Sequence, residues 1–252
     1  MKILYLRSLK FNMMFKKYLV LLTMVGVVAC GKETTKENLT VSGKIEGLKE
    51  GTIFLQKIQD TTLINLDSLV VDGNEPSFVF STTIEEPEVL YMYLDKKDFN
   101  NLNDRVEIFA EPGEMTFNTT LRRFESDAEV TGSKNHDDLV AFKEFMTKFN
   151  TKELMLLRDG MDAQKEEDVE KVQDINNQIA NYAKSRMRYI LNYAITNGDK
   201  EISPYIVTME TADANVKFLD TIYKRLTPKI AESKYGKKLK ELVEQRKAEE
   251  NK

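Results

Sequence analysis

The hydrophobic pattern changes period once along this chain, and that change limits what it can fold into. From Leu39 to Thr131 apolar side chains recur at about every second residue, in short runs broken by Gly, Pro, Asn and Asp. Beyond residue 132 they recur at about 3.6 residues, in long runs. Charge divides at the same place. Residues 38–131 hold 18 acids and 8 bases, whereas residues 132–252 hold 21 acids and 22 bases. The chain therefore reads as α+β. An N-terminal, mostly antiparallel β-sandwich or partly closed barrel is followed by a C-terminal helical region with one long helix.

The first part predicts seven or eight strands. Leu39 to Glu46 is one, with Val41, Gly43 and Ile45 on one face. Gly47 and Gly51 bracket a turn into Thr52 to Ile58, and Ile64 to Val71 runs up to the turn at Asp72-Gly73-Asn74. Phe78 and Phe80 alternate with polar neighbours. Val89 to Leu94 sets Leu90, Met92 and Leu94 against Tyr91 and Tyr93. Arg105 to Phe109, the Met115/Phe117 strand after Pro112-Gly113, and Ala128 to Thr131 complete the set. In the second part, Asn135 predicts the cap of a helix that Gly160 ends. The longest helix is predicted over 164–196, stopped by Asn197-Gly198. Ser203-Pro204 reads as a cap and first helical position before helices at Tyr205 to Glu210 and Ala214 to Arg225. Pro228 opens a short element. Tyr235-Gly236 is predicted to break the chain before a fraying helix from Lys237 to about Glu249.

Residues 1–29 carry Lys2, Arg7, Lys10, Lys16 and Lys17 with no acid, then the twelve-residue apolar run Tyr18 to Ala29. That run is shorter than the ~20 residues a membrane helix needs, so it reads as a signal peptide. A start at Met13 or Met14 would give a tighter one. The run ends in Val27-Val28-Ala29-Cys30-Gly31, which resembles a bacterial lipobox and makes Cys30 the predicted lipidation point. Removal of the leader takes the formal charge from −4 to −9. Residues 30–38 then form a polar tether, 39–133 a sandwich-like domain and 134–252 a helical domain. The expected place is the cell envelope, at the outer membrane facing the periplasm. Lys32-Glu33 resembles part of a surface-export signal, which keeps the cell surface open as an alternative.

One Cys and one His rule out a CxxC pair, a disulfide framework and a multi-His or thiolate metal site, so no cofactor and no metal is expected. The acidic balance makes nucleic acid a poor partner. His136, beside Asp137 and Asp138, reads as a surface or helix-start imidazole. Asp67-Ser68 lacks a nearby base and reads as turn or strand-edge packing. Glu85-Glu86-Pro87-Glu88 and Lys165-Glu166-Glu167-Asp168 read as solvated surface, without the spacing of a calcium loop. Tyr91 and Tyr93 share a strand face and form a candidate binding surface; covering by a helix is the alternative. Tyr182, Tyr189 and Tyr193 are read as not sharing one helical face.

The order Val41-Ser42-Gly43-Lys44-Ile45, Gly47, Gly51, Asp67-Ser68, Val70-Val71-Asp72-Gly73, Phe78/Phe80, Ile108-Phe109-Ala110-Glu111-Pro112-Gly113 and Val130-Thr131-Gly132-Ser133-Lys134-Asn135 resembles the DUF4369 family of Bacteroidota lipoproteins. The resemblance covers mainly residues 38–145. In many members this region precedes a thioredoxin-like domain, which implies envelope redox chemistry for those proteins. Thiol exchange needs an attacking thiolate and normally a second thiol. With no CxxC and only sixteen residues after Gly236, that chemistry is not expected here. The expected function is a non-enzymatic, membrane-anchored envelope module that binds a small ligand or an envelope protein. An accessory to a separate thiol-disulfide oxidoreductase and a carboxylate-dependent hydrolase are the alternatives.

Overall fold

A computed structural model describes residues 37–73, 77–96 and 104–250. The predicted leader, Cys30 and most of the tether lie outside the described residues, as does Asn74 of the predicted turn. Eight strands make up the N-terminal region: β1 (Leu39–Glu46), β2 (Glu50–Gln59), β3 (Thr62–Asp72), β4 (Ser77–Thr82), β5 (Glu88–Asp95), β6 (Arg105–Ala110), β7 (Gly113–Thr120) and β8 (Glu129–Thr131). They form two four-stranded sheets, in the orders β4-β1-β7-β8 and β3-β2-β5-β6. The sheets are not closed into a barrel. Every pairing is antiparallel except β1 with β7, which run parallel from Leu39 opposite Gly113 to Glu46 opposite Thr120.

The inward positions of both sheets share one core, built on Val41, Ile53, Phe80, Leu90, Ile108 and Phe117. Burial of such side chains contributes about 1.5–3 kcal/mol each. Gly43 occupies an inward position of β1 because a Cβ there would lie 1.7 Å from the carbonyl oxygen of Phe117 on β7. Just before β1, the side chain of Asn38 is clamped to Ile84. Its Nδ2 donates to the Ile84 carbonyl at 2.8 Å, and its Oδ1 accepts from the Ile84 N–H at 2.9 Å.

The C-terminal region holds several helices: α1 (Lys134–Lys165), α2 (Val169–Thr196), α3 (Ile202–Glu210), α4 (Val216–Tyr223), α5 (Pro228–Ala231) and α6 (Lys234–Glu250). The expectation of one long helix is corrected, since α1 has 32 residues and α2 has 28. Gly160 does not end α1. A helix-interior Gly costs only about 1 kcal/mol relative to Ala, and apolar positions continue past it through Ala163. The stop comes at Glu167, which takes φ of 57°, and Asp168 then caps α2 by accepting from Lys171 N–H at 3.0 Å. The cap of α1 is Ser133 and not Asn135; its hydroxyl accepts from the His136 N–H at 3.1 Å.

The other helix boundaries shift for similar reasons. Helix α3 starts at Ile202, which puts Ser203 and Pro204 inside its first turn, and α4 is shorter than the predicted 214–225. Helix α6 begins before Tyr235-Gly236, so that pair is buried in the helix and does not break it. A Cβ on Gly236 would lie 2.0 Å from the Ile230 carbonyl oxygen, so this glycine permits close chain approach rather than a turn. Leu239 and Val243 of α6 are buried with Leu191, Val207, Leu219 and Ile222. A third cluster joins sheet to helices, with Val89 and Phe109 packed among Leu139, Phe142, Ile190 and Tyr205.

Candidate functional site

The outer face of the second sheet is where strands meet helices. Register places Phe54, Tyr93 and Arg105 in one row across β2, β5 and β6, and Gln56, Tyr91 and Glu107 in the next. Alternation along β5 sends Leu90, Met92 and Leu94 to the core and leaves both tyrosines on this face. In the first row the Phe54 and Tyr93 rings stack at 5.8 Å, and the Arg105 guanidinium lies 4.8 Å from the Tyr93 ring centre. Phe54 and Tyr93 stay half-buried.

The second row meets α1 and α3. Tyr91, Glu107, Phe142, Lys143, Tyr205 and Glu210 line a recess of about 220 Å³. Glu107 accepts from the Tyr205 hydroxyl and pairs with Lys143. Glu210 pairs with Arg186 at 2.6 Å. Both carboxylates in the recess are thus engaged by cations. Burial pushes the Tyr91 phenol up, with Glu107 adding to the shift and Arg105 opposing it. Burial, with Glu107 behind it, pushes Tyr205 up strongly. In the same row the Oε1 of Gln56 is buried with no hydrogen-bond partner among the described residues, while its Nε2 donates to Asn65 Oδ1 at 2.8 Å. A buried acceptor left open in this way calls for an explanation.

Behind the recess, Phe109 packs edge-on against Tyr205 and Tyr235 at 5.4 and 5.6 Å. The Tyr235 hydroxyl accepts from the Val89 N–H at 2.8 Å. His136 stands at the start of α1 but is buried, which corrects the surface reading. Its Nδ1 accepts from the Phe109 N–H at 3.3 Å, so the proton of the neutral ring belongs on Nε2. Burial, reinforced by Lys143, holds its pKa below the ordinary histidine value against the opposing charges of Asp137 and Glu107. His136 therefore joins helix to strand and carries no open nitrogen pair for a metal.

The remaining candidates separate. Asp67-Ser68 lies on β3, an edge strand, beside a bulge opposite Leu55/Gln56, and Asp67 Oδ1 accepts from the Ser68 N–H at 2.8 Å. Lys165-Glu166-Glu167-Asp168 is the exposed turn between α1 and α2. In the other acid cluster Glu85 is exposed as expected, but Glu86 and Glu88 are not. Glu88 is buried and pairs with Lys234, and Glu86 accepts from the Lys234 N–H at 2.6 Å. A carboxylate there is favoured by the partial positive charge at the start of α6.

Tyr182, Tyr189 and Tyr193 do share one face of α2, contrary to expectation, because offsets of seven and eleven residues return close to the same angle. They interleave with Phe142, Phe145 and Phe149 of α1; the Phe145 and Tyr189 rings stack at 3.9 Å. Burial pushes the Tyr193 phenol up to about 12, with Asp138 and Tyr189 adding to it.

Glu107, Lys143, Tyr205 and Gln56 were not anticipated. They come from β6, α1, α3 and β2, and no local pattern links residues as far apart as Glu107 and Tyr205. Among the described residues no group of three or more His, Cys, Asp or Glu is placed to hold a metal ion, and no helix is long and apolar enough to cross a membrane. No curated protein and no solved structure matches the chain. Residues 39–139 match the family model described as a domain of unknown function, DUF4369, so both sheets and the first turns of α1 form a DUF4369-like domain.

Proposed function

We propose that the protein is a lipid-anchored binding module of the bacterial cell envelope, with no catalytic activity of its own. The anchor is Cys30, the chain's one cysteine, placed where a basic segment and a short apolar run end in small residues. Two or three acyl chains on its sulfur and amine hold durably, where one holds only marginally. The expected site is the outer membrane facing the periplasm.

The binding element is the outer face of the second sheet. The observation that carries this reading is the half-buried Phe54–Tyr93 stack, with the exposed Arg105 guanidinium over the Tyr93 ring, beside the Tyr91 recess. Stacked rings give large contact area at low entropy cost, and a guanidinium adds direction. At about 220 Å³ the recess is smaller than the ~300 Å³ at which drug-sized sites begin, so it fits a small polar group or one side chain of a partner.

Two measurements test the two halves of this reading. Mass spectrometry of protein from intact envelopes should find a diacylglyceryl group on Cys30, lost in Cys30→Ser; a bare thiol on a protein that keeps its first thirty residues overturns the anchor. Crosslinking in envelopes with the anchor preserved should recover a consistent partner that Tyr93→Ser loses. Recovery of none, together with turnover of an envelope substrate by the pure protein, overturns the binding role.

A further inference from the structure

A second recess opens between α2 and α4. Met187, Leu191 and Ile195 follow one another at four-residue steps and form a single apolar stripe on α2. Phe218 of α4 lies across from them with 54% of its surface exposed. Lys184 stands at the N-terminal end of the α2 wall, and the Arg188 guanidinium reaches back along the helix to the Lys184 carbonyl. From Lys184 to Ile195 the wall is about 16 Å long at 1.5 Å per residue. The groove holds about 700 Å³, within the range of sites for small molecules.

The charges of this groove are one-sided. No acid lines it, and neither Lys184 nor Arg188 is paired with a carboxylate among the described residues. Arg188 donates only to the Lys184 carbonyl and to Ser185 Oγ, at 3.3 and 3.4 Å. Arg186, two residues away, is by contrast tied to Glu210. The groove therefore has a cationic end and an apolar length, with an exposed aromatic ring as its far wall.

We propose that this groove binds a free single-chain anionic amphiphile of the fatty-acid type. The hydrocarbon chain lies along Met187, Leu191, Ile195 and Phe218, and the carboxylate meets Lys184 and Arg188. Head-to-tail polarity within a space of this size matches such a molecule, because the tail removes apolar surface from water while the head neutralises two unpaired cations. The inference is independent of the anchor on Cys30 and of the Tyr91 face.

The test uses the full chain carrying Cys30→Ser, so that no acyl group on the protein itself competes for the groove. Calorimetric titration with dodecanoate below its micellar concentration should give saturable binding of one molecule per chain. Phe218→Asp should abolish it. Joint replacement Lys184→Glu and Arg188→Glu should weaken dodecanoate by about tenfold or more and make dodecyltrimethylammonium the better ligand. All three positions are exposed, so thermal melting should not change. Four results each overturn the proposal. They are no saturable binding, equal binding of both head groups by the unaltered protein, binding of anionic phospholipid vesicles without dodecanoate binding, and self-association that Phe218→Asp abolishes. The last would assign the face to a second copy of the chain.

Discussion

The two sheets and the two long helices are held together by different means. In the sheets each strand position is committed twice, once by its ladder partners and once by the face it shows. Phe80, Phe109, Phe117 and Leu90 are almost wholly removed from solvent. In the α1–α2 pair one seam of six interleaved aromatic rings does much of the holding. Away from that seam Leu154, Met161 and Val169 remain 66%, 60% and 78% exposed. A paired strand has no slack in register or depth, whereas a helix pair tolerates change wherever the seam is not touched.

That contrast can be broken or sharpened by substitution. The largest effect is expected from Gly43→Ala, whose Cβ would meet the Phe117 carbonyl at 1.7 Å. Backbone cannot yield there without separating β1 from β7, so a loss of about 3 kcal/mol or more is expected in urea unfolding. Next comes the joint between the two regions. His136→Leu leaves the Phe109 N–H without its acceptor and should cost about 1–3 kcal/mol, while His136→Asn, whose Oδ1 can take the place of Nδ1, should cost less.

The same residue carries a pH signature. Its folded-state pKa is depressed by burial, so below the ordinary value of about 6.5 the unfolded chain binds the proton more readily than the folded one. The stability it contributes is complete above that value and is lost as pH falls through the interval down to the folded pKa. His136→Asn should flatten this acid slope in melting temperature; an unchanged slope would remove His136 from the account.

In the seam, Phe145→Ala removes the ring stacked on Tyr189 and should cost about 1–2 kcal/mol. The smallest effect has the opposite sign. At Gly160 an added Cβ meets Ile175 Cγ2 at an ordinary 3.4 Å, so Gly160→Ala should stabilise by about 0.5–1 kcal/mol. A destabilisation there as large as at Gly43 would end the comparison.

The strands were legible because alternation is strict: Leu39, Val41 and Ile45 against polar neighbours, and Leu90, Met92 and Leu94 against Tyr91 and Tyr93, read directly as faces. The helix boundaries were not. Gly160 and Gly236 carry the residue type of a stop, but Gly160 lies in an uninterrupted helix with room for a Cβ and Gly236 serves close packing; the turn at Glu167 has a residue with no preference for positive φ. Of the candidate face, Tyr91 and Tyr93 could be read from the strand. Glu107, Lys143 and Tyr205 could not, because tertiary packing alone brings them together. Burial of His136 and Glu88 was hidden by the acids beside each in sequence.

Strand β1 sits inside its sheet, with six registered pairs to β4 on one side and eight to β7 on the other. The Asn38 clamp on Ile84 lies immediately ahead of it. Tension entering at residue 37 along the strand axis is met as shear. The strand cannot peel away rung by rung and has to slide as a whole. A slide of one residue turns Leu39, Val41 and Ile45 out toward water, so the hydrophobic core itself resists the pull.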